Sequence, residues 1–347
     1  MHAGQPDIEF ETSPPVKPRA IILCDDWACA QVYGGELRDE LARRVEFATA
    51  PLSGLQIAAH PEALRDVEII FTSWGTPRFD AALLAAAPKL RAVFHGAGSI
   101  KAIMSDAFWA RGITITSAYS ANAIPVAEFT LSTILFSLKH GWRYALGMQR
   151  ERRYLPKTES APGAFRSTVG LISLGMVGRR VAELLRITDV RIIACDPFCT
   201  RSDAAALGVE LVPLGEIFAR AHVVSLHTPL LPETEGMITG AHFDMMSVGA
   251  TFINTARGAV VRETEMIEVL QRRPDLTAVL DVTWPDPPAL DSPLFTLPNV
   301  VLTPHIAGAS DGECRRLGYC MLEELDRYLA VQPLRWAITR EKCAQMA

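Results

Sequence analysis

Four things are scarce in this 347-residue sequence. Long apolar runs are the first: the most apolar stretch, Phe129 to Leu138, is far short of the roughly 20 residues a membrane span needs, and Glu128 and Lys139 flank it. It reads as a buried helix, and no membrane partner is expected. The opening residues 1–18 are polar and proline-rich, without the apolar core of a secretory signal, and read as a flexible leader. Paired cysteine motifs are the second: seven cysteines lie scattered with no C-x-x-C spacing. That argues against a structural metal or a disulfide framework and for a reducing cytoplasm. Third, no basic stripe stands out in a chain of net charge -5, so nucleic acid is not an expected partner. Repeats and low-complexity tracts are also missing.

What remains is a chain that is 49% hydrophobic and 21% charged, sized for about two globular domains. β-rich runs alternate with helical patterns, the signature of parallel α/β architecture. Five such runs precede residue 118: 20–25, 45–49, 67–73, 91–96 and 113–117. A denser series covers 168–172, 190–195, 222–227, 250–256, 276–282 and 299–303. Between the two series the pattern predicts one long helix from Ala123 to about Tyr144, with Asn122 as its cap and Pro125 in its first turn. A last amphipathic stretch, "ECRRLGYCMLEELDRYLAV", must pack against something.

"TVGLISLGMVGRRVAELL" reads as strand, tight loop and helix. It matches the dinucleotide fingerprint G-x-G-x-x-G except that Ser173 fills the first glycine place, with Gly175 and Gly178 in the second and third. A pyrophosphate would lie on the helix N-terminus near Met176 and Val177. The next strand ends at Asp196, 18 residues after Gly178, close to the spacing of the acid that binds the adenosine ribose. A carboxylate there repels a 2′-phosphate, which favours NAD over NADP. A strand-end aspartate also commonly caps a turn; loop and acid together point to a dinucleotide.

Ligands of open α/β sheets bind beyond the carboxyl ends of the strands. Arg257, Asp281, Asp286 and His305 all fall just past such ends. If the strands are parallel, these side chains share one rim with Gly175 and Asp196. The set suits hydride exchange between a nicotinamide and a 2-hydroxy or 2-keto acid. A guanidinium clamps the substrate carboxylate, a histidine moves the proton, and a carboxylate orients the imidazole.

With these residues in place, the chain resembles the D-isomer-specific 2-hydroxyacid dehydrogenase family. "SLHTPLLPETEGMI", "INTARGAVV", "LDVTWPDPP" and "LPNVVLTPHIAG" follow the family's order and spacing. The resemblance implies two doubly wound parallel-sheet domains, a Rossmann NAD-binding domain (123–307) inserted in a flavodoxin-like substrate domain (19–122 plus 308–347). It implies that Arg257 binds substrate, that His305 is the acid/base with Asp286 as partner, and that Asp281 bonds the nicotinamide carboxamide near Thr255 and Ala256. Ser173, Gly175, Met176, Val177, Gly178, Asp196, His227, Thr228 and Pro229 would contact the cofactor. Ala97 and Gly98 would hold the substrate carboxylate through backbone N–H groups, with Trp74 and Gly75 selecting the substrate. Family members are commonly dimers, and 145–165 reads as an arm or loop in a homodimer.

Three places depart from the family. Ser173 replaces a glycine. Asp286 stands where glutamate is usual and, one methylene shorter, must sit closer to His305 or reach it through water. The substrate loop has Ile100 and Ile103 in place of the aspartates that commonly follow it. Two other functions stay open: an NAD(H)-sensing interaction protein on the same fold, and a formate- or phosphite-type dehydrogenase, whose usual pattern has glutamine at the place of Asp286.

Overall fold

In the computed structural model, which describes residues 17–157 and 161–346, the apolar runs assemble into two all-parallel sheets. The leader expected at 1–18 falls almost entirely outside the described residues, and the 145–165 segment partly so.

The first sheet holds β1 (Arg19–Leu23), β2 (Glu46–Phe47), β3 (Ile69–Thr72), β4 (Ala92–His95) and β5 (Thr114–Ser117) in the order β2-β1-β3-β4-β5. All its pairs are parallel, and the order is that of flavodoxin-like folds. The second holds β6 (Thr168–Ile172), β7 (Arg191–Cys195), β8 (Val209–Leu211), β9 (Val223–Leu226), β10 (Thr251–Asn254), β11 (Thr277–Leu280) and β12 (Val300–Leu302). Its order, β12-β11-β10-β9-β6-β7-β8, reverses direction between β6 and β9, the topological switch point of a Rossmann sheet. Only β8 escaped the sequence reading: "VEL" is an edge strand with a charged residue at its centre and no apolar run.

Helices cover both faces of each sheet, so central strands are buried on both sides and read as continuous apolar runs. In the second sheet, Phe218, Phe243 and Phe252 pack one face, while Val181, Leu185 and Ala127 close the other. The amphipathic C-terminal helix, Cys314–Leu329, returns to the first sheet, where Leu317 and Met321 pack with Tyr33 and Phe94. Its buried Glu324 accepts from the N–H groups of Arg335 and Trp336, tying the final segment to β5 through an Ala337–Thr116 bridge.

The connecting helix differs from expectation at both ends. It runs Tyr119–Ser137, so Asn122 is not its cap and Pro125 is its seventh residue. Asn122 instead turns its side chain sideways to accept from the Ala309 N–H at 2.9 Å, linking the two crossings between lobes. His140, at φ +52°, breaks the chain before a second helix, Gly141–Glu151, at 67° to the first. Among the described residues no single helix is long and apolar enough to cross a membrane.

Candidate active site

The loop after β6 shows why glycine is usual where Ser173 stands. Ser173 has φ +75°, the left-handed region that a side chain disfavours. Its Oγ lies 2.8 Å from Thr228 Oγ1, a hydrogen bond that offsets part of the strain, and its N–H donates to the Cys195 carbonyl. Gly178 is required for packing: a Cβ there would lie 2.1 Å from the Ser173 carbonyl oxygen. Gly175 is required for neither, since a Cβ on it would meet nothing within 4 Å. That open space lies at the N-terminus of the helix Met176–Leu185, which no side chain caps. Beside it His227 is held neutral, its pKa pushed down to about 4 by burial, and its Nε2 is buried without a protein partner. An open cradle, uncapped N–H groups and an orphaned ring nitrogen fit the phosphates and nicotinamide half of a dinucleotide.

Asp196 does two things. Its Oδ1 accepts from the N–H groups of Phe198 and Cys199, and its Oδ2 from Leu174, so it braces the glycine loop against the following turn. A carboxylate has about four acceptor positions; one on Oδ2 has no donor among the described residues.

All seven strands being parallel, the residues beyond β10, β11 and β12 do share the rim with Gly175 and Asp196. His305 Nδ1 lies 2.9 Å from Asp286 Oδ2. The shorter carboxylate therefore reaches the imidazole directly, without a water. Because a carboxylate only accepts, Nδ1 carries the hydrogen and Nε2 is the nitrogen free for a substrate. His305 itself sits at φ +56°, held by its N–H to the Asp281 carbonyl. Asp281 is buried and satisfies three donors in the same loop: Thr303 Oγ1, the Ile306 N–H and the Ala307 N–H. It thus fixes the His305 turn, a role the sequence did not reveal, and keeps one acceptor position on Oδ2.

Arg257 is partly buried, donates to the Ala256 carbonyl, and has no carboxylate within salt-bridge distance among the described residues. Burial lowers its pKa, and the charge of Asp286 partly restores it. The adjacent Gly258 lets the Arg257 loop press on the Asp286 loop, for a Cβ there would meet the Thr283 carbonyl oxygen at 2.0 Å. Thr255 Oγ1 meets Thr130 Oγ1 of the connecting helix at 3.2 Å.

Across the cleft, hydroxyl groups shape the loop after β4. Ser73 Oγ donates to the Gly96 carbonyl and Ser117 Oγ to those of Ala97 and Gly98. With the carbonyls turned inward, the N–H groups of Ala97 and Gly98 have no acceptor among the described residues. The buried His95, bonded to Thr72 Oγ1 at 2.9 Å, supports the loop from below, and burial drops its pKa to about 4. Trp74, partly buried after β3, stacks on Trp27 at 5.4 Å, while Gly75 at φ +78° packs on the Asp25 carboxylate. Lys101 reaches over to the second lobe, its Nζ 2.9 Å from the Leu230 carbonyl oxygen. Ser73, Ser117 and Lys101 carry no motif, and only their places near strand ends mark them; His95 opens the "HGAGS" segment that holds Ala97 and Gly98.

The fold and rim define a two-lobed α/β dinucleotide-binding protein. Residues 132–307 match the family model described as D-isomer specific 2-hydroxyacid dehydrogenase, NAD binding domain, and the chain belongs to that family. It is 34% identical over 252 residues to a D-3-phosphoglycerate dehydrogenase of Mycobacterium tuberculosis (72% of this chain, 47% of the relative). The chain thus spans about half the length of such relatives. Among solved structures it is similar to the TT0316 protein from Thermus thermophilus (TM-score 0.72, 25% identity, 92% and 100% of the two chains). It also shares its fold with a phosphoglycerate oxidoreductase from Rhizobium etli (TM-score 0.77, 23% identity, 94% and 99%).

Proposed function

We propose that this protein is an NAD-dependent oxidoreductase acting on a small D-2-hydroxy acid and its 2-keto acid. The observation that carries the reading is the His305–Asp286 pair at 2.9 Å, on one rim with an unpaired Arg257 and the open cradle at Gly175. Bound NADH supplies the hydride. Arg257 and the N–H groups of Ala97 and Gly98 hold the substrate carboxylate and orient the carbonyl. His305 Nε2 gives its proton to the carbonyl oxygen, and Asp286 stabilises the imidazolium before that transfer. In oxidation the same nitrogen takes the proton back.

Asp281 keeps His305 aimed and offers its remaining acceptor to the nicotinamide carboxamide, beside the Thr255 and Ala256 backbone. Met176, Val177, Gly178, His227, Thr228 and Pro229 line the cofactor's path. Asp196 favours NAD, because its charge repels a 2′-phosphate. Trp74 and Gly75 face the substrate's side chain. Residues 123–307 form the cofactor lobe and 19–122 with 308–347 the substrate lobe: Ala118 and Ala121 belong to the first core, whereas Ala127 and Ile134 of the same helix belong to the second. A homodimer and a cytoplasmic setting complete the reading.

An interaction module has no chemical need for the His305–Asp286 pair, and an aspartate at 286 is not the formate pattern. Loss of NADH absorbance with glyoxylate, hydroxypyruvate, pyruvate or bulkier 2-keto acids tests the reading. Tight NADH binding with no turnover on any of them would favour the interaction module.

A further inference from the structure

The helix Asp26–Tyr33, which carries Trp27 to the cleft rim, begins in an unusual way. Its N-cap is Asp25, and the Cys29 N–H donates to the Asp25 carbonyl. Cys24 therefore holds the position before the cap and Cys29 the fourth helical position, the two places whose side chains pack together in a hydrophobic staple. Here both are thiols, both are free, and Cys29 packs against the buried cluster that holds Cys24. Cys24 is 1% exposed and lies behind, while Cys29 is partly exposed in front. Neither belongs to the machinery proposed for the cleft, and the inference stands or falls apart from it.

We propose that Cys24 and Cys29 are a reversible oxidation site, in which hydrogen peroxide converts the thiol pair at the start of this helix to a disulfide. Cys29 reacts first. The neighbouring Cys24 thiol favours its thiolate and lowers its pKa to about 7, and the charge of Arg38 lowers it further against burial and Asp26. The neighbouring thiol and burial raise that of Cys24, which keeps its proton. The Cys29 thiolate attacks one peroxide oxygen; the O–O bond breaks, hydroxide leaves and becomes water, and Cys29 becomes a sulfenic acid. Cys24 Sγ then attacks the Cys29 sulfur. The S–S bond forms, the S–O bond breaks, and the departing hydroxide takes the Cys24 proton as a second water. Two thiols lose two electrons and one peroxide gains them.

A disulfide needs Cβ atoms about 3.5–4.5 Å apart, and the N′ and N4 positions turn both side chains toward each other across the first helical turn. That turn contains Trp27, stacked on Trp74 at 5.4 Å, so the redox state of the pair is written into the substrate-side rim. At neutral pH Cys29 should react faster than Cys24, because its thiolate is favoured and Cys24 keeps its proton.

The test is hydrogen peroxide on the full chain, followed by thiol titration, peptide mapping and tryptophan fluorescence. The expected result is loss of two of the seven thiols, a peptide joining Cys24 to Cys29, and a fluorescence change that dithiothreitol reverses. Cys29→Ser should retain all its remaining thiols. Cys24→Ser, or Cys24→Ala should the first fold poorly, should stop at a Cys29 sulfenic acid that dimedone captures. A disulfide joining any other pair overturns the proposal, as does wild-type Cys29 oxidised while Cys24 stays free, or no thiol loss at all.

Discussion

At the scale of single residues, the cleft rests on two side chains held in backbone conformations that side chains resist. His305, at φ +56°, is fixed because Asp281 ties down its loop and Asp286 its ring. His305→Asn should lower kcat by about 10²–10⁴-fold, the range for a lost general acid/base, while NADH affinity measured by calorimetry stays within a factor of two or so. Unchanged turnover would remove His305 from the chemistry. Asp286→Asn keeps the shape of the pair but not the charge that stabilises imidazolium, so reduction should suffer more than NADH binding. Ser173, at φ +75°, separates strain from bonding. Ser173→Ala keeps the strain and loses the Thr228 bond, and should cost about 1 kcal/mol. Ser173→Gly loses the bond but also the strain, worth about 1–2 kcal/mol, and should be close to neutral in urea unfolding. A glycine variant as unstable as the alanine one would mean that Ser173 is not strained.

Elements turn these residues into a site, and they were legible to different degrees. Eleven of the strands lie within two residues or so of their expected places, and the central ones are apolar runs buried on both faces. β8 was hidden because an edge strand of three residues has no such run. The connecting helix misled for a different reason: asparagine before a proline looks like a cap, yet Asn122 is spent on Ala309, a partner 187 positions away that no local pattern encodes. The rim residues were legible because parallel strands force every strand end to one edge. The inward-turned carbonyls of the β4 loop were not, since Ser73 and Ser117 belong to neighbouring strands.

The glycine loop offers a test at this scale. Gly178→Ala puts a Cβ 2.1 Å from a backbone oxygen and should destabilise the fold by about 3 kcal/mol. Gly175→Ala meets nothing, with φ −71°, and should leave urea unfolding unchanged while weakening NADH about tenfold or more. Equal effects of the two on stability would remove the cradle argument. The β4 loop offers a second. Folded His95 has its pKa near 4 against 6.5 in the unfolded chain, because burial disfavours its charged form. Between those values the unfolded chain binds the proton and the folded one does not. Its contribution is therefore complete above pH 6.5 and is lost as pH falls toward 4. At pH 5 the loss should be about 2 kcal/mol. His95→Gln, which can still bond Thr72, should show a shallower fall in urea midpoint between pH 7.5 and pH 5; an equal slope would mean that other groups carry the acid sensitivity.

At the scale of the whole molecule, a cleft between two lobes works only if one lobe stays put while substrate enters, and two kinds of contact bear on that. Polar ties near the junction are sparse: Asn122 and Ala309 bind each other where the chain crosses, and Lys101 spans the lobes to the Leu230 carbonyl over the mouth. On the outside of the second lobe the balance is the reverse. Phe136 (42% exposed), Met148 (37%), Tyr154 (81%) and Phe165 (69%) lie on or beside the helix Gly141–Glu151 and the segment after it. Four exposed apolar side chains along one segment suit a covered face, and a stable interface buries about 800 Å² on each partner. A second copy covering this face would anchor the cofactor lobes to each other and leave the substrate lobes free to move. Sedimentation should therefore give a dimer at micromolar concentration. Met148→Glu with Tyr154→Glu should shift it toward monomer without changing NADH affinity, because neither residue touches the cradle at Gly175. A wild-type chain that sediments as a monomer would leave the patch unexplained and would place the rigidity needed for hydride transfer within one chain.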